Sequence, residues 1–282
     1  DKQTIMQAER VMGKPSSPLG QCLNRGVTGI LFKCRDEQVE EYLVPSIRGE
    51  RKNAFALTEP GAGSDARAIV TKAERDGKDW VINGVKQFIS AADIADFLIL
   101  IAVSGVDDTP RGPRKRFTAF LLDKSLPGLR VEPMKSLVTR GYNPTMVYLD
   151  NVRVPETKIL GEEGQGFATA NEWLYDGRVS LAAHCVGRAE RIFAMTKEWA
   201  GTRKAFGKTI GEFQGVGFKV ANMAVDIKLG DLMVKEAAWK MDHDLMDRTE
   251  ASMVNYYCSE MVFRVADHAV QIFGGMGLME DF

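Results

Sequence analysis

A glycine-rich turn that runs into strand-forming sequence, and not into a helix, sets the tightest limit on what this chain can fold into. The turn is Thr58-Glu-Pro-Gly-Ala-Gly-Ser64-Asp65, and residues 80–90, WVINGVKQFIS, follow it. A dinucleotide-binding βαβ unit places its glycines between a strand and a helix, so this order excludes that unit. The two glycines remove Cβ atoms where the backbone must bend, which lets amides and the Thr58 and Ser64 hydroxyls approach a phosphate or a flavin edge. Asn83-Gly84 tolerates positive φ at both positions. That pair predicts a two-residue type I′ hairpin aligning residues 80–82 against 85–89.

Hydrophobic periodicity changes twice along the chain. Residues 27–47 read as two short helices, with Arg35-Asp36 near the start of the second and Pro45 near its end. Short β-rich runs follow at 97–103, 117–122, 129–133 and 146–154, separated by Gly, Pro and Asp. After Gly166 the spacing is helical, with helices expected at 167–201, 211–242 and 251–273. Strands bracketed by helices predict an α+β fold and argue against a doubly wound parallel sheet.

Composition narrows the function classes. The 282 residues are 45% hydrophobic and 27% charged, with a net charge of −1 and a pI near 6.4. Nothing in that balance attracts nucleic acid or an anionic membrane, and no apolar run reaches the roughly 18 residues of a spanning helix. Cys22, Cys34, Cys185 and Cys258 are far apart without a C-x-x-C pair, which suggests reduced thiols in a cytosol-like compartment, cytoplasmic or, in a eukaryote, the mitochondrial matrix. His184, His243 and His268 lack metal-ligand spacing, so no metal is expected. There is no G-x-S-x-G elbow and no Walker loop.

Four motifs in order, TEPGAGSD, WVINGVKQFIS, TRKAFGKTIGEFQ at 202–214 and QIFGGMG at 271–277, resemble the acyl-CoA dehydrogenase family. The resemblance runs from about Arg35 to Phe282. It implies an α+β, acyl-CoA dehydrogenase-like fold: a partial N-terminal helical domain at 1–53, a central antiparallel β-domain binding flavin and acyl-CoA at 54–158, and an incomplete C-terminal helical bundle at 159–282. Both ends look cut when set against the family's pattern.

The activity so implied is FAD-dependent α,β-dehydrogenation of an acyl-CoA thioester to the trans-2-enoyl-CoA, as in β-oxidation of fatty acids, with electrons passed to an electron-transfer flavoprotein. A carboxylate must remove the α-proton. The family's usual glutamate would lie beyond Phe282, and the alternative position corresponds to Gly177, so no catalytic base is expected within the chain. Glu59, Glu172, Asp176 and Glu280 read as solvated or structural carboxylates. Arg178, on a helix, matches a family arginine that could steady an enolate-like charge.

Matching flavin-contact positions are Phe55, Leu57, Thr58, Gly63, Ser64, Phe88 and Ser90, where Phe88 and Ser90 stand for the family's frequent tryptophan and threonine. Arg203, with Phe206 and Gln214 nearby, resembles the residue reaching the flavin diphosphate of a neighbouring subunit. Gln271, Gly274 and Gly275 match the stretch where the adenine half of FAD passes, beside the plainer reading of a glycine helix cap. Both motifs imply a homo-oligomer, typically a tetramer. Ser64, Ser104, Tyr175 and Arg178 match substrate contacts, whereas residues 137–145 depart from the family and carry no transferred role. Alternatives are an acyl-CoA oxidase or flavin monooxygenase of the same fold, or a non-catalytic binding relative.

Overall fold

A computed structural model describes residues 1–15, 29–110, 112–137 and 144–279. They fall into two compact units, residues 25–173 and residues 1–24 with 174–282.

The first unit is built on one seven-stranded sheet: β1 (Asn53–Ala56), β2 (Lys72–Asp76), β3 (Asp79–Ser90), β4 (Phe97–Thr109), β5 (Gly112–Asp123), β6 (Leu129–Pro133) and β7 (Pro144–Pro155). The expected strands are all present and mostly longer. The sheet is mixed where an antiparallel domain was expected. β1 and then β2 run parallel to β4, with Asn53 opposite Phe97 and Lys72 opposite Val103, while β5 pairs with β4 antiparallel. Alternate residues of the sheet supply the core, including Trp80, Ile82, Leu98, Leu100, Phe120, Leu122 and Val152. The Trp80 and Phe120 rings meet edge-on at 5.6 Å.

The Asn83-Gly84 hairpin does not form. β3 runs straight through both residues against β7, with a bulge between Ile82 and Gly84. The hairpin turn lies earlier, at Gly77-Lys78, where Asp76 pairs with Asp79 and only Gly77 has positive φ (+64°), the signature of a type II′ turn. Asn83 serves the sheet instead: its side-chain oxygen accepts from the Asn151 amide at 2.7 Å. Gly84 is needed for close approach, since a Cβ there would lie 2.7 Å from Thr71 Cβ and 2.8 Å from Thr71 Cα.

The helices expected across 27–47 are also altered. A 3-10 segment spans Gly29–Lys33, and a π-helical turn at Val39–Leu43 passes into the short helix α2 (Val44–Ile47), after α1 (Lys2–Gly13) in chain order. Residues 37–47 form one unbroken helical stretch, and Pro45 lies near its end as expected, with no N–H to offer the turn before it. The Glu41 carbonyl, four residues before Pro45, accepts from Arg51 at 3.0 Å instead. Tyr42 is buried on this turn; its hydroxyl donates to Asp123 at 2.8 Å and accepts from Lys158 at 2.8 Å. Arg51 and Lys158 both lie over its ring, at 4.8 and 4.7 Å.

The second unit is helical: α1 with most of α3 (Gly166–Thr202), then α4 (Gln214–Asp242) and α5 (Arg248–Phe273). Val179, Ala183, Val186, Met223, Met261 and Val265 form its core. α1 approaches α3 through glycines, because a Cβ on Gly13 would lie 2.8 Å from His184 Cα. Arg10 then bridges Glu190 and Asp231.

Candidate functional site

In the sheet unit the residues proposed for flavin contact gather at the end of β1 and along β3. Leu57 is buried, Phe55 and Thr58 are half-buried, and Gly63 and Ser64 are exposed on the turn. The Phe55 ring lies 4.5 Å from that of Trp173. A Cβ added at Gly61 or Gly63 would meet nothing within 4 Å, so the outer face of the turn is open. Its inner face is clamped. Glu59 and Ala62 exchange backbone hydrogen bonds, both 3.1 Å, and the Glu59 carboxylate accepts from the amides of Val70 (2.7 Å) and Thr71 (3.0 Å).

Sequence reasoning missed the partner of that carboxylate. Lys86, wholly buried on β3, donates to Glu59 Oε1 at 2.8 Å and to the Leu57 carbonyl at 2.9 Å. Burial pushes the Lys86 pKa down to about 8 against the pull of Glu59. Burial alone would raise the carboxyl of Glu59, but Lys86 together with the Val70 and Thr71 contacts holds it below its usual range. A lysine within a strand reads as an exposed residue, so only its three-dimensional register with Glu59 reveals it.

Beyond Lys86 the strand breaks pattern. The Gln87 amide donates to the Thr58 carbonyl at 2.8 Å, and the pairing with β7 shifts between Lys86 and Ile89. Phe88 has φ +58° and is 58% exposed. Left-handed φ is rare for a bulky residue and, where it persists, concentrates at functional positions. Ser90 is exposed at the strand end. Ser104, half-buried on β4, accepts from Thr118 Oγ1 at 2.7 Å.

The helical unit holds the remaining positions. Tyr175 donates its hydroxyl to the Asp247 carbonyl at 3.1 Å, and Arg178 is exposed on α3. Arg203, exposed, enters a small hairpin of β8 (Lys204–Ala205) and β9 (Lys208–Thr209). Its turn residues, Phe206 (φ +52°) and Gly207 (φ +82°), both have positive φ, as a type I′ turn requires. Phe206 is thereby 95% exposed. Gln214 opens α4, while Gln271 and Gly275 are exposed and Gly274 caps α5 with φ +63°. Glu172 pairs with Lys33 at 2.9 Å and Asp176 with Lys2 at 2.5 Å. Gly177 has nothing within 4 Å of where a Cβ would stand. Cys34, Cys185 and Cys258 are free thiols whose pKa values burial raises, Cys34 to about 11. Among the described residues no group of three or more His, Cys, Asp and Glu could hold a metal ion, and no helix is long and apolar enough to cross a membrane. Cys22, Glu280 and residues 138–143 lie outside the described residues.

Two family models match the chain: the acyl-CoA dehydrogenase middle domain over residues 54–152 and the acyl-CoA dehydrogenase C-terminal domain over residues 164–282. The chain belongs to the acyl-CoA dehydrogenase family. The 3-(aryl)acrylate reductase of Clostridium sporogenes is 38% identical over 272 residues, covering 96% of this chain and 69% of that protein. The caffeyl-CoA reductase-Etf complex subunit CarC of Acetobacterium woodii is 36% identical over 256 residues, 90% of this chain and 66% of its own length. The chain thus spans about two thirds of these relatives. The solved FAD complex of PigA superposes with a TM-score of 0.90 at 28% identity, covering 99% of this chain and 73% of that one.

Acyl-CoA dehydrogenases are FAD-dependent oxidoreductases, and the residues present fit that cofactor. The open glycine turn with the Thr58 and Ser64 hydroxyls offers hydrogen bonds, and the strand segment that the Gln87 amide ties to the Thr58 carbonyl adds the exposed Phe88 ring and the Ser90 hydroxyl. The strained Phe88 backbone is the feature that a purely structural strand would not keep.

Proposed function

We propose that this acyl-CoA dehydrogenase interconverts an acyl-CoA thioester and its trans-2-enoyl-CoA, exchanging electrons with an electron-transfer flavoprotein. The outward, left-handed Phe88 beside the open Gly61–Gly63 turn is the observation that carries the reading. Names of relatives support a finer version. One relative is named a 3-(aryl)acrylate reductase and another a subunit of a caffeyl-CoA reductase-Etf complex, and both names carry an aryl-substituted acyl group, so an aryl-substituted acyl chain is the proposed substrate class. The Etf complex in the second name supports the electron partner.

FAD, when bound, supplies the two-electron acceptor for hydride from the β-carbon. In this reading Phe55, Leu57, Thr58, Gly63, Ser64, Phe88 and Ser90 bind and orient the flavin. Arg203, Phe206, Gln214, Gln271, Gly274 and Gly275 bind the diphosphate and adenine half of a flavin held by a second copy of the chain. Exposed Phe218 (63%), Tyr256 (70%) and Phe263 (73%) on α4 and α5 support such self-association. Within the sheet unit Ser64 and Ser104 are the residues assigned to the CoA thioester arm, and within the helical unit Tyr175 and Arg178 are separately assigned to substrate, Arg178 to offset charge on an enolate-like transition state. Glu59, Glu172 and Asp176 are each committed to a lysine, and the α-proton is assigned to none of them.

Reconstitution tests the reading. The purified full-length protein, stripped of any flavin, should recover a stoichiometric, structured visible flavin spectrum with FAD, and Phe88→Ala should weaken that uptake by about tenfold. Failure of the intact protein to take up FAD under any condition contradicts it.

A further inference from the structure

The Lys86–Glu59 pair has a cost that its surroundings do not require. Burying two charges is expensive, and apolar residues of similar volume are often as stabilising or more so. Alternation already fills this region with Ile82 and Ile89. The pair is nonetheless completely enclosed, with relative side-chain exposures of 0% and 3%.

What the pair does instead is join two features that lie 27 residues apart in sequence. Lys86 holds the Leu57 carbonyl and the Glu59 carboxylate; that carboxylate holds the Val70 and Thr71 amides; and the next residue, Gln87, bonds the Thr58 carbonyl. Every contact lies on the inner side of the glycine turn. The following residue is Phe88, in its left-handed pose at the bulge. On its far side, Thr145 Oγ1 donates to the Ile89 carbonyl at 2.9 Å and fixes the strand beyond the bulge.

We propose that Lys86 and Glu59 are positioning residues for the flavin: their buried ion pair holds the Pro60–Ser64 turn and the Phe88 ring in one frame and so sets how tightly, and in what environment, the flavin is held. This rests on the flavin reading above. Neither residue touches the flavin in this scheme; both act through the backbone they hold. A hydrogen-bonded charge locks direction where an apolar contact permits sliding, which is why an ion pair suits this place.

The test uses the full-length protein and two variants, Lys86→Met/Glu59→Gln, which removes both charges together, and Glu59→Asp, which keeps them but withdraws the carboxylate by one methylene. FAD affinity, the visible spectrum of the bound flavin and the melting temperature of the apoprotein are measured for each. The double variant should bind FAD about tenfold more weakly with an altered spectrum, and Glu59→Asp should show a smaller loss of the same kind, roughly threefold. Melting temperatures should not track those losses. If the double variant does not fold, Glu59→Asp decides alone. Wild-type affinity and spectrum in a folded variant overturn the proposal, including when its melting temperature falls, because the pair is then structural only. Absence of FAD uptake by the unaltered protein removes the flavin reading and this proposal together, whereas normal uptake by all three proteins removes this proposal alone.

Discussion

Lys86 and Phe88 are two residues apart on one strand, yet Lys86 is wholly buried and Phe88 is 58% exposed. In a regular strand residues i and i+2 share a face. The bulge between Lys86 and Ile89, with φ +58° at Phe88, turns the aromatic ring out just after the lysine has anchored the chain.

That relationship makes a prediction about stability. A left-handed bulky residue carries about 1–2 kcal/mol of backbone strain. Phe88→Gly releases it and should leave the denaturation midpoint of the apoprotein unchanged or slightly raised, while FAD uptake falls. A loss of more than about 2 kcal/mol in apoprotein stability would mean that the ring serves packing instead.

Gly84 should be intolerant of a side chain although it is not in a turn. A Cβ there would press on the Thr71 backbone and side chain at 2.7–2.8 Å. Gly84→Ala is expected to cost about 1–3 kcal/mol in chemical denaturation. Gly63→Ala, where the same atom meets nothing within 4 Å, should change stability little.

The three long helices fall within a few residues of where the sequence put them, and the expected runs at 97–103, 117–122, 129–133 and 146–154 lie inside β4 to β7, because period-2 and period-3.6 patterns are local. Sequence reasoning failed at Asn83-Gly84, where turn chemistry was real but the earlier Gly77-Lys78 pair made the turn, and the glycine answered instead to Thr71, thirteen residues upstream. Pro45 was legible as a residue near a helix end, but the π-helical turn before it and the Arg51 side chain that satisfies the stranded Glu41 carbonyl carry no local signal. Positions such as Phe88 and Arg203 were legible only through resemblance. Lys86 was not legible at all, since burial of a lysine is a property of register with a distant carboxylate.

Tyr42 joins the π-helical turn to the sheet, so Tyr42→Phe should be costly despite its conservative shape. It removes a buried hydroxyl bonded to Asp123 and Lys158, and a loss of about 1–3 kcal/mol is expected by thermal or urea denaturation. Burial and the adjacent Asp123 push its pKa far up, so no ionisation contributes near neutrality.

Stability should depend on pH at both ends of the range. Glu59 and Glu190 have carboxyl pKa values held below their ordinary 4.5, against the opposing effect of burial, by Lys86 and by Arg10 respectively. Their contribution is present above pH 4.5 and is lost as pH falls through the depressed values. Lys86 works in the other sense. Its pKa of about 8 lies below the ordinary 10.5, so the unfolded chain binds more protons between those values and stability should rise with pH across that window. Urea midpoints measured from pH 3 to pH 10 check both signs, and Lys86→Met/Glu59→Gln should flatten the alkaline limb.

The most direct test of the acyl-CoA dehydrogenase reading is the anaerobic visible spectrum of the FAD-loaded full-length protein before and after addition of aryl-substituted and straight-chain acyl-CoAs. Bleaching of the flavin band by an acyl-CoA, strongest for the aryl-substituted one, is the predicted result. A flavin-loaded protein that no acyl-CoA reduces, and that no enoyl-CoA reoxidises once chemically reduced, would contradict it.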